Sequence, residues 1–157
     1  MPLVLTRIDC RLVHGQVVEA WIPHVKANSL IVASDAIAGD PMLRSVMELA
    51  VPVGVRVRFC RLDQAVKVIA EADRAGERSI LLMSNVSDAM NAWKDGAGFT
   101  SLNIGNLHFA EGKVQIAPSV FFAPEDYKAL QWFRSQGVSV CVKGTPFESG
   151  VSFEAEK

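Results

Sequence analysis

This 157-residue sequence has no long hydrophobic run, little cysteine and almost no net charge. No stretch approaches eighteen consecutive apolar residues, and the N-terminus lacks a basic region followed by an apolar core, so neither a membrane span nor a secretory signal is predicted. The formal net charge is −1, and no cluster of lysine and arginine predicts a nucleic-acid groove. These absences predict a soluble, cytoplasmic protein that does not bind nucleic acid and contacts a membrane only through partners.

Cysteine and histidine are also too sparse to predict a metal site. The three cysteines are widely spaced and form no CxxC pair: Cys10, Cys60 and Cys141. An odd number at such spacing predicts neither a disulfide framework nor a zinc site. The three histidines show no short-range ligand pattern such as HxH or HExxH. We therefore expect no metal and no other cofactor.

What the sequence does contain is an alternation of apolar runs and amphipathic segments. Half of the residues are hydrophobic and 21% are charged, which is typical of a globular protein, and residues 1–157 are predicted to form a single domain. Predicted strands cover residues 3–8, 30–34, 55–59, 79–83, 101–104, part of 116–122, and 138–142. Predicted helices cover residues 15–25, a segment from 40, 63–75, a short segment after 88, and 124–137. This alternation indicates an α/β fold with a mainly parallel central sheet of about six to seven strands and helices on both faces.

Two local expectations follow from the same patterns. Asp40 and Pro41 are typical of a helix start, with the aspartate as cap and the proline in the first turn. That helix is expected to turn its apolar residues inward: Met42, Val46, Met47 and Leu49. The tail after Gly144 is expected to be loosely held.

The segment from Thr6 to Trp21 is the most informative part of the chain. It runs from a short strand through a charged loop into an amphipathic helix. Ligands of parallel sheets bind beyond the carboxyl ends of the strands, so this first loop is expected at the functional edge. Other polar residues that end strands are expected to crowd the same edge: Asp35, Ser84, Asn85, Gly105 and Asn106.

His14 lies in this loop between two arginines and the start of the helix. A ring nitrogen of histidine can attack a phosphoryl group, while arginines and helix N–H groups neutralise the phosphoryl oxygens. A single histidine after a strand is more often a surface or packing residue. The residue types alone therefore leave both interpretations open.

A longer pattern favours the phosphoryl-transfer interpretation. Residues 7–17, R-I-D-C-R-L-V-H-G-Q-V, are followed four residues later by Trp21. This segment resembles the signature of the IIB component of the mannose/fructose/sorbose family of the bacterial phosphoenolpyruvate-dependent sugar phosphotransferase system (PTS). The resemblance continues through residues 31–35, Asp40, Arg44 and residues 103–105, and so covers nearly the whole chain.

The resemblance implies a phosphocarrier enzyme. His14 would accept a phosphoryl group on its δ1 nitrogen from a phosphohistidine of the partner IIA protein. It would then pass the group to a sugar bound by the membrane components IIC and IID. Arg11 is the candidate for stabilising the transferring charge, with a surface salt bridge as its alternative role. Asp9 is expected to fix Arg7, Arg11 or the loop backbone rather than to act as a base.

The remaining residues of the loop have supporting roles in this interpretation. The backbone N–H groups of Gly15 and Gln16 are candidates for binding phosphoryl oxygens. Arg7 is assigned to the phosphoryl-binding set, with a structural role or a place in the donor-docking surface as alternatives. Cys10 stands where the family often has aspartate, and the aspartate argues that no catalytic thiol is required there. The cysteine of this chain removes a negative charge near His14.

The other two histidines lie outside this loop, and two other functions compete with the phosphocarrier role. His24 is expected at the surface, and His108 is a candidate for a supporting role because it lies near the presumed site edge. A regulatory module, whose His14 phosphorylation is read by a partner without sugar transport, has the same motif and stays open. An unrelated hydrolase or nucleotide-binding protein lacks support, because the sequence has no GxSxG, Walker lysine loop or GxGxxG.

Overall fold

The structure is a computed structural model that describes residues 3–153. Its strands, in chain order, are β1 (Leu3–Asp9), β2 (Ser29–Ala33), β3 (Arg56–Cys60), β4 (Ser79–Met83), β5 (Ser101–Asn106), β6 (Val114–Ala117), β7 (Val120–Phe122), β8 (Ser139–Val142) and β9 (Val151–Ser152). Its helices are α1 (Ile22–Val25), α2 (Asp35–Ala38), α3 (Pro41–Ala50), α4 (Ala65–Arg74), α5 (Val86–Lys94) and α6 (Pro124–Ser135). A π-helical turn, Gln16–Trp21, leads directly into α1, and a 3-10 turn, Leu62–Gln64, precedes α4. None of the helices within residues 3–153 is long and apolar enough to cross a membrane.

In the described chain, seven strands form one sheet in the order β3-β2-β4-β1-β5-β8-β9. Pairing is parallel except for β9, which runs antiparallel to β8, while β6 and β7 form a separate antiparallel hairpin. The predicted α/β class and the number of strands are therefore confirmed. Because β1 lies between β4 and β5, the loop after β1 leaves the sheet from its middle and has neighbours on both sides.

Two hydrophobic clusters, one on each face, hold the sheet. Along β2 and β4, successive residues alternate between the clusters, so that Ile31 and Leu81 pack into one while Leu30 and Ile80 pack into the other. All residues of both strands are buried. This double coverage explains why both strands are almost continuous apolar runs in the sequence.

The expectation for α3 is wrong. Asp40 does cap the helix, accepting a hydrogen bond from the backbone N–H of Leu43. However, Met42, Val46 and Leu49 are 76%, 58% and 88% exposed, and only Met47 packs against a core cluster. The periodicity identified an apolar face correctly, but amphipathic spacing cannot show whether another element covers that face.

Two further boundaries differ from the sequence prediction. The strand expected within residues 116–122 is the hairpin of β6 and β7. The tail after Gly144 is held as far as Phe153, because β9 pairs with β8 and the Phe153 ring packs against Phe122 and Tyr127, with ring centroids 6.3 and 5.1 Å away. Residues 154–157, which belong to the same expectation, lie outside the described residues.

Candidate functional site

A tight turn at the end of β1 brings the histidine loop back over the strand. The backbone N–H of Leu12 donates to the carbonyl of Asp9 at 3.0 Å, and Leu12 has a φ of 56° although its side chain is 3% exposed. A left-handed leucine costs of order 1–3 kcal/mol, which the surrounding packing must offset. The backbone N–H of Cys10 donates to the carbonyl of Asn106 at 2.9 Å and fixes the start of the loop against β5.

The Asp9 carboxylate is the centre of the site. It is fully buried, and its Oδ2 accepts hydrogen bonds from Arg7 Nε and Nη2, at 3.1 and 2.9 Å, and from Asn106 Nδ2 at 2.9 Å. The same oxygen lies 2.7 Å from His14 Nε2, and Oδ1 accepts the backbone N–H of Arg11 at 2.9 Å. Asp9 therefore fixes the arginine and the loop backbone, as predicted, and also holds the histidine ring.

Arg7 is a buried scaffold for this carboxylate. Its guanidinium is fully buried and donates to Asn103 Oδ1 at 2.7 Å, to the carbonyl of Lys143 at 3.3 Å and to Gln16 Oε1 at 3.2 Å. Its Cζ lies 5.4 Å from the centroid of the Trp21 ring, a cation–π distance. Burial excludes Arg7 from a donor-docking surface, and its contacts give it the structural role.

Gly105 faces this guanidinium, and a Cβ at that position would overlap Cζ and both terminal nitrogens of Arg7. We expect Gly105→Ala to displace Arg7 and lower the free energy of unfolding by about 1–3 kcal/mol, as overpacking of a core does. Urea denaturation measures the change. Gly15→Ala is the matched control, because nothing described lies within 4 Å of its Cβ position, and it should shift stability by less than about 0.5 kcal/mol. Equal stability of the two variants would contradict the packing of Arg7 on Gly105.

The electrostatics of the site keep Asp9 charged. Burial raises the pKa of Asp9, but the hydrogen bond with His14, the Arg7 charge and the Asn106 amide outweigh burial and leave the pKa below its usual value. Burial also lowers the pKa of Arg7, against the opposing effect of Asp9. A guanidinium nevertheless remains protonated in proteins. The two side chains thus form a buried ion pair.

His14 is held through Nε2, which leaves Nδ1 as the ring nitrogen that can act as a nucleophile. Its side chain is only 8% exposed, and Nδ1 is buried and has no hydrogen-bond partner within the described structure. Since the carboxylate of Asp9 is an acceptor, the bond to Nε2 assigns a proton to Nε2, and in the neutral ring this leaves a lone pair on Nδ1. Because Nδ1 is also shielded from solvent, the ring or its loop must move before a phosphoryl group can reach it.

The other residues predicted for the site lie around the ring. Gly15 and Gln16 stand at the start of the π-helical turn, where backbone N–H groups have no intrahelical acceptor. The Arg11 side chain is exposed, and among residues 3–153 its guanidinium makes no hydrogen bond or ion pair. Its alternative role in a surface salt bridge therefore has no support, and the guanidinium is available to an incoming anion.

Only part of the expected polar edge joins this site. Asn106 does so, whereas Asp35 accepts the backbone N–H of Leu62 and Asn85 caps α5. Both residues follow parallel strands and so lie at the expected edge, but within the described structure neither bonds to Asp9. His24 is exposed, as predicted, with its ring edge-on to Trp21 at 6.2 Å. His108 is exposed as well, and its carbonyl accepts from Lys113 Nζ.

Sequence reasoning missed the amide and carbonyl partners of the network. Asn106 was expected only as a residue of the sheet edge, Asn103 was only part of the resemblance, and Trp21 was given no polar contact, although its Nε1 donates to the carbonyl of Gly144 at 2.8 Å. An asparagine inside a buried strand was the available signal, because a buried amide must be hydrogen-bonded. No group of three His, Cys, Asp or Glu side chains in the described part of the chain is placed to hold a metal ion.

Fold and site together define an α/β protein that presents a carboxylate-bound histidine at the carboxyl edge of its sheet. The crystal structure of the N-acetylgalactosamine-specific IIB component 1 from Escherichia coli matches with a TM-score of 0.91 and 30% identity, covering 97% of this chain and 99% of that chain. The IIB domain of the sorbose permease from Klebsiella pneumoniae matches with a TM-score of 0.88 and 29% identity, covering 96% and 93%. The N-acetylgalactosamine-specific phosphotransferase enzyme IIB component 2 of Escherichia coli (strain K12) is 38% identical over 154 residues, 96% of each chain.

The family described as the PTS system sorbose subfamily IIB component matches residues 3–155. The chain belongs to this family and is a component of a sugar phosphotransferase system. PTS IIB components work together with other components of that system. The family resemblance read from residues 7–17 is thereby confirmed.

Proposed function

We propose that this protein is a cytoplasmic phosphocarrier that accepts a phosphoryl group on His14 from a phosphorylated IIA protein. It passes the group to a sugar held by the membrane components IIC and IID. The observation that carries the proposal is the pairing of His14 Nε2 with the ionised Asp9, while Nδ1 has no partner among residues 3–153. Membership of the IIB family supports the same role.

In the first step, the lone pair of His14 Nδ1 attacks the phosphorus of the donor phosphohistidine. The donor N–P bond breaks and its electron pair returns to the donor imidazole. As the new N–P bond forms, positive charge develops on the His14 ring, and the Asp9 carboxylate at Nε2 stabilises it. In the second step, a sugar hydroxyl attacks the phosphorus, Nδ1 recovers its lone pair, and the hydroxyl proton is released.

The transferring group carries its charge on three oxygens, so the protein contributes mainly positioning and electrostatic stabilisation. The backbone N–H groups of Gly15 and Gln16 lie at the start of the helix that follows His14, where an anion is favoured. The free Arg11 guanidinium can donate two parallel hydrogen bonds to phosphoryl oxygens. Arg7 supports the reaction through Asp9 and does not touch the phosphoryl group, since its guanidinium donates to other protein groups.

Arg11→Ala is expected to fold normally and to accept the phosphoryl group about 100-fold or more slowly. The side chain is exposed, and the backbone N–H that binds Asp9 is retained. Loss of one donor to a transition-state oxyanion typically costs this much in rate. Rapid-quench measurement at saturating donor gives the rate. The control is Arg61→Ala, which removes an exposed arginine that pairs with Asp63. An unchanged rate in the Arg11 variant would remove it from the transfer step.

The proposed function is tested by incubating the purified protein with phosphoenolpyruvate, the general PTS proteins and a cognate IIA, and by mapping the acid-labile phosphate with mass spectrometry. A label on His14 is expected. The labelled protein is then mixed with membranes that contain IIC and IID and with candidate sugars. Transfer to a sugar supports the transport role, whereas a label that no membrane component removes would favour a regulatory output. No label with a demonstrably active IIA would refute the carrier chemistry.

A further inference from the structure

Asn106 holds both ends of the loop that carries His14. It is the last residue of β5 and is 7% exposed. Its carbonyl accepts the backbone N–H of Cys10 at 2.9 Å, where the loop begins. Its side-chain Nδ2 donates to Gln16 Oε1 at 3.0 Å, where the loop ends, and to Asp9 Oδ2 at 2.9 Å. One residue of the neighbouring strand thus ties the two stems of the loop together.

The orientation of this amide is determined by its partners. Asp9 Oδ2 and Gln16 Oε1 are both acceptors, so the atom between them must be the NH2 group, and each of its two protons has an acceptor. Arg7 Nη2 donates to the same two oxygens, at 2.9 and 3.2 Å. The carboxylate oxygen is therefore fixed from β1 by Arg7 and from β5 by Asn106.

A carboxylate held in this way can determine which nitrogen of His14 carries the proton. Oδ2 lies 2.7 Å from Nε2, and this bond makes Nε2 the donor only as long as the oxygen keeps its position. Neighbouring groups that orient a histidine partner typically change activity or affinity 10- to 100-fold when removed, as in metal sites. Asn106 makes the only hydrogen bond from β5 to this oxygen within the described structure.

We propose that Asn106 is a positioning residue for phosphoryl transfer. It acts through Asp9 to keep His14 in the Nε2–H tautomer, so that Nδ1 presents its lone pair to the donor. The inference rests on the proposed function, in which His14 is the acceptor, and adds a residue that does not itself touch the phosphoryl group.

The test compares Asn106→Ala with wild type in two measurements. Nitrogen-15 NMR of the unphosphorylated protein, labelled in histidine, reports the tautomer of His14. Rapid-quench kinetics report phosphorylation at saturating IIA. We expect wild type to show the Nε2–H tautomer and the variant to show a mixture of tautomers, with kcat lowered roughly 10- to 100-fold. Asn106→Ser, which is too short to reach both oxygens, provides the measurement if the alanine variant does not fold.

Two further variants separate this role from general damage. Gln16→Ala removes one acceptor of Asn106 but leaves its bond to Asp9, so the Nε2–H tautomer should persist. Asn28→Ala is the matched control, because Asn28 uses its side chain to accept the backbone N–H of Arg78 at the opposite edge of the sheet. In Asn28→Ala, the His14 tautomer and the phosphorylation rate should equal those of wild type.

Failure of this inference differs from failure of the proposed function. If wild type is phosphorylated on His14, and a folded Asn106 variant keeps both the wild-type tautomer and the wild-type kcat, Asn106 has no positioning role while the carrier function stands. If wild type accepts no label from an active IIA, the carrier function fails. The tautomer measurement would then still show whether Asn106 controls the ring.

Discussion

His14→Ala is expected to show no detectable phosphorylation. Its phosphorylation rate should be lower than that of wild type by a factor of at least about 10³, as when the nucleophile of a catalytic unit is removed. The reason is that the variant lacks the Nδ1 lone pair that attacks the phosphorus in the proposed first step. The measurement is labelling from phosphoenolpyruvate through the general PTS proteins and IIA, followed by intact-protein mass spectrometry.

The variant should remain folded, which makes the result interpretable. Asp9 keeps its bonds from Arg7 and Asn106 when the ring is lost, so we expect a stability change of about 1 kcal/mol. His24→Ala and His108→Ala are matched controls, since both histidines are exposed and lie outside the Asp9 network. Both should label fully. Stoichiometric labelling of the His14 variant, or loss of label in either control, would overturn the assignment of His14.

The sheet could be predicted from the sequence because its strands are short, continuous apolar runs separated by turn residues. Ser29–Ala33 and Ser79–Met83 are buried along their whole length, so their burial is visible in composition alone. The same reasoning failed for Pro41–Ala50, which has clear amphipathic spacing and yet turns its apolar face to solvent. Coverage of a face depends on distant elements, and periodicity carries no information about them.

The reactive part of the candidate site was also within reach of the sequence. His14, Asp9 and Arg11 lie in one short loop, and the signature around them is long enough to be specific. The bond between His14 and Asp9 was not predicted, because it requires a turn with Leu12 in a left-handed conformation. Glycine or asparagine usually marks such a turn, and leucine does not.

The supporting network lay beyond the sequence because it depends on strand order. Asn103 and Asn106 approach Arg7 and Asp9 only because β5 pairs directly with β1, about a hundred residues away along the chain. Such pairing is not encoded in any local pattern. The role of Arg7 was left open for the same reason. Its burial between Trp21 and Gly105 shows that it has a structural role.

Asp9→Asn is expected to lower the free energy of unfolding at neutral pH by about 3–5 kcal/mol, since breaking a buried ion pair leaves an uncompensated charge. Arg7 and Asp9 are both fully buried, and the substitution removes the negative partner while Arg7 stays charged. Urea denaturation at pH 7 measures the loss. Asp63→Asn, in an exposed pair with Arg61, is the control and should change stability by less than about 1 kcal/mol.

Asp9→Asn should also differ from wild type in how its free energy of unfolding depends on pH. The pKa of Asp9 is lowered in the folded protein, so its contribution is fully present above the unfolded-state value of about 3.9 and is lost as the pH falls through the lower folded value. Wild type therefore loses this stability only in acid, below about pH 4, whereas the asparagine variant lacks it at every pH. The stability difference between the two proteins should shrink as the pH is lowered. A constant difference would show that the loss does not come from the charge of Asp9.

A second substitution separates the unpaired charge from the lost hydrogen bonds. If the destabilisation of Asp9→Asn arises from the stranded guanidinium, then Arg7→Met in the same chain should recover part of it, because an apolar side chain needs no partner in that position. The double variant would then be more stable than the sum of the single changes by about 0.5–3 kcal/mol. Additive losses would mean that Arg7 and Asp9 stabilise the fold independently. The ion pair would then serve to hold His14 in place rather than to support the sheet.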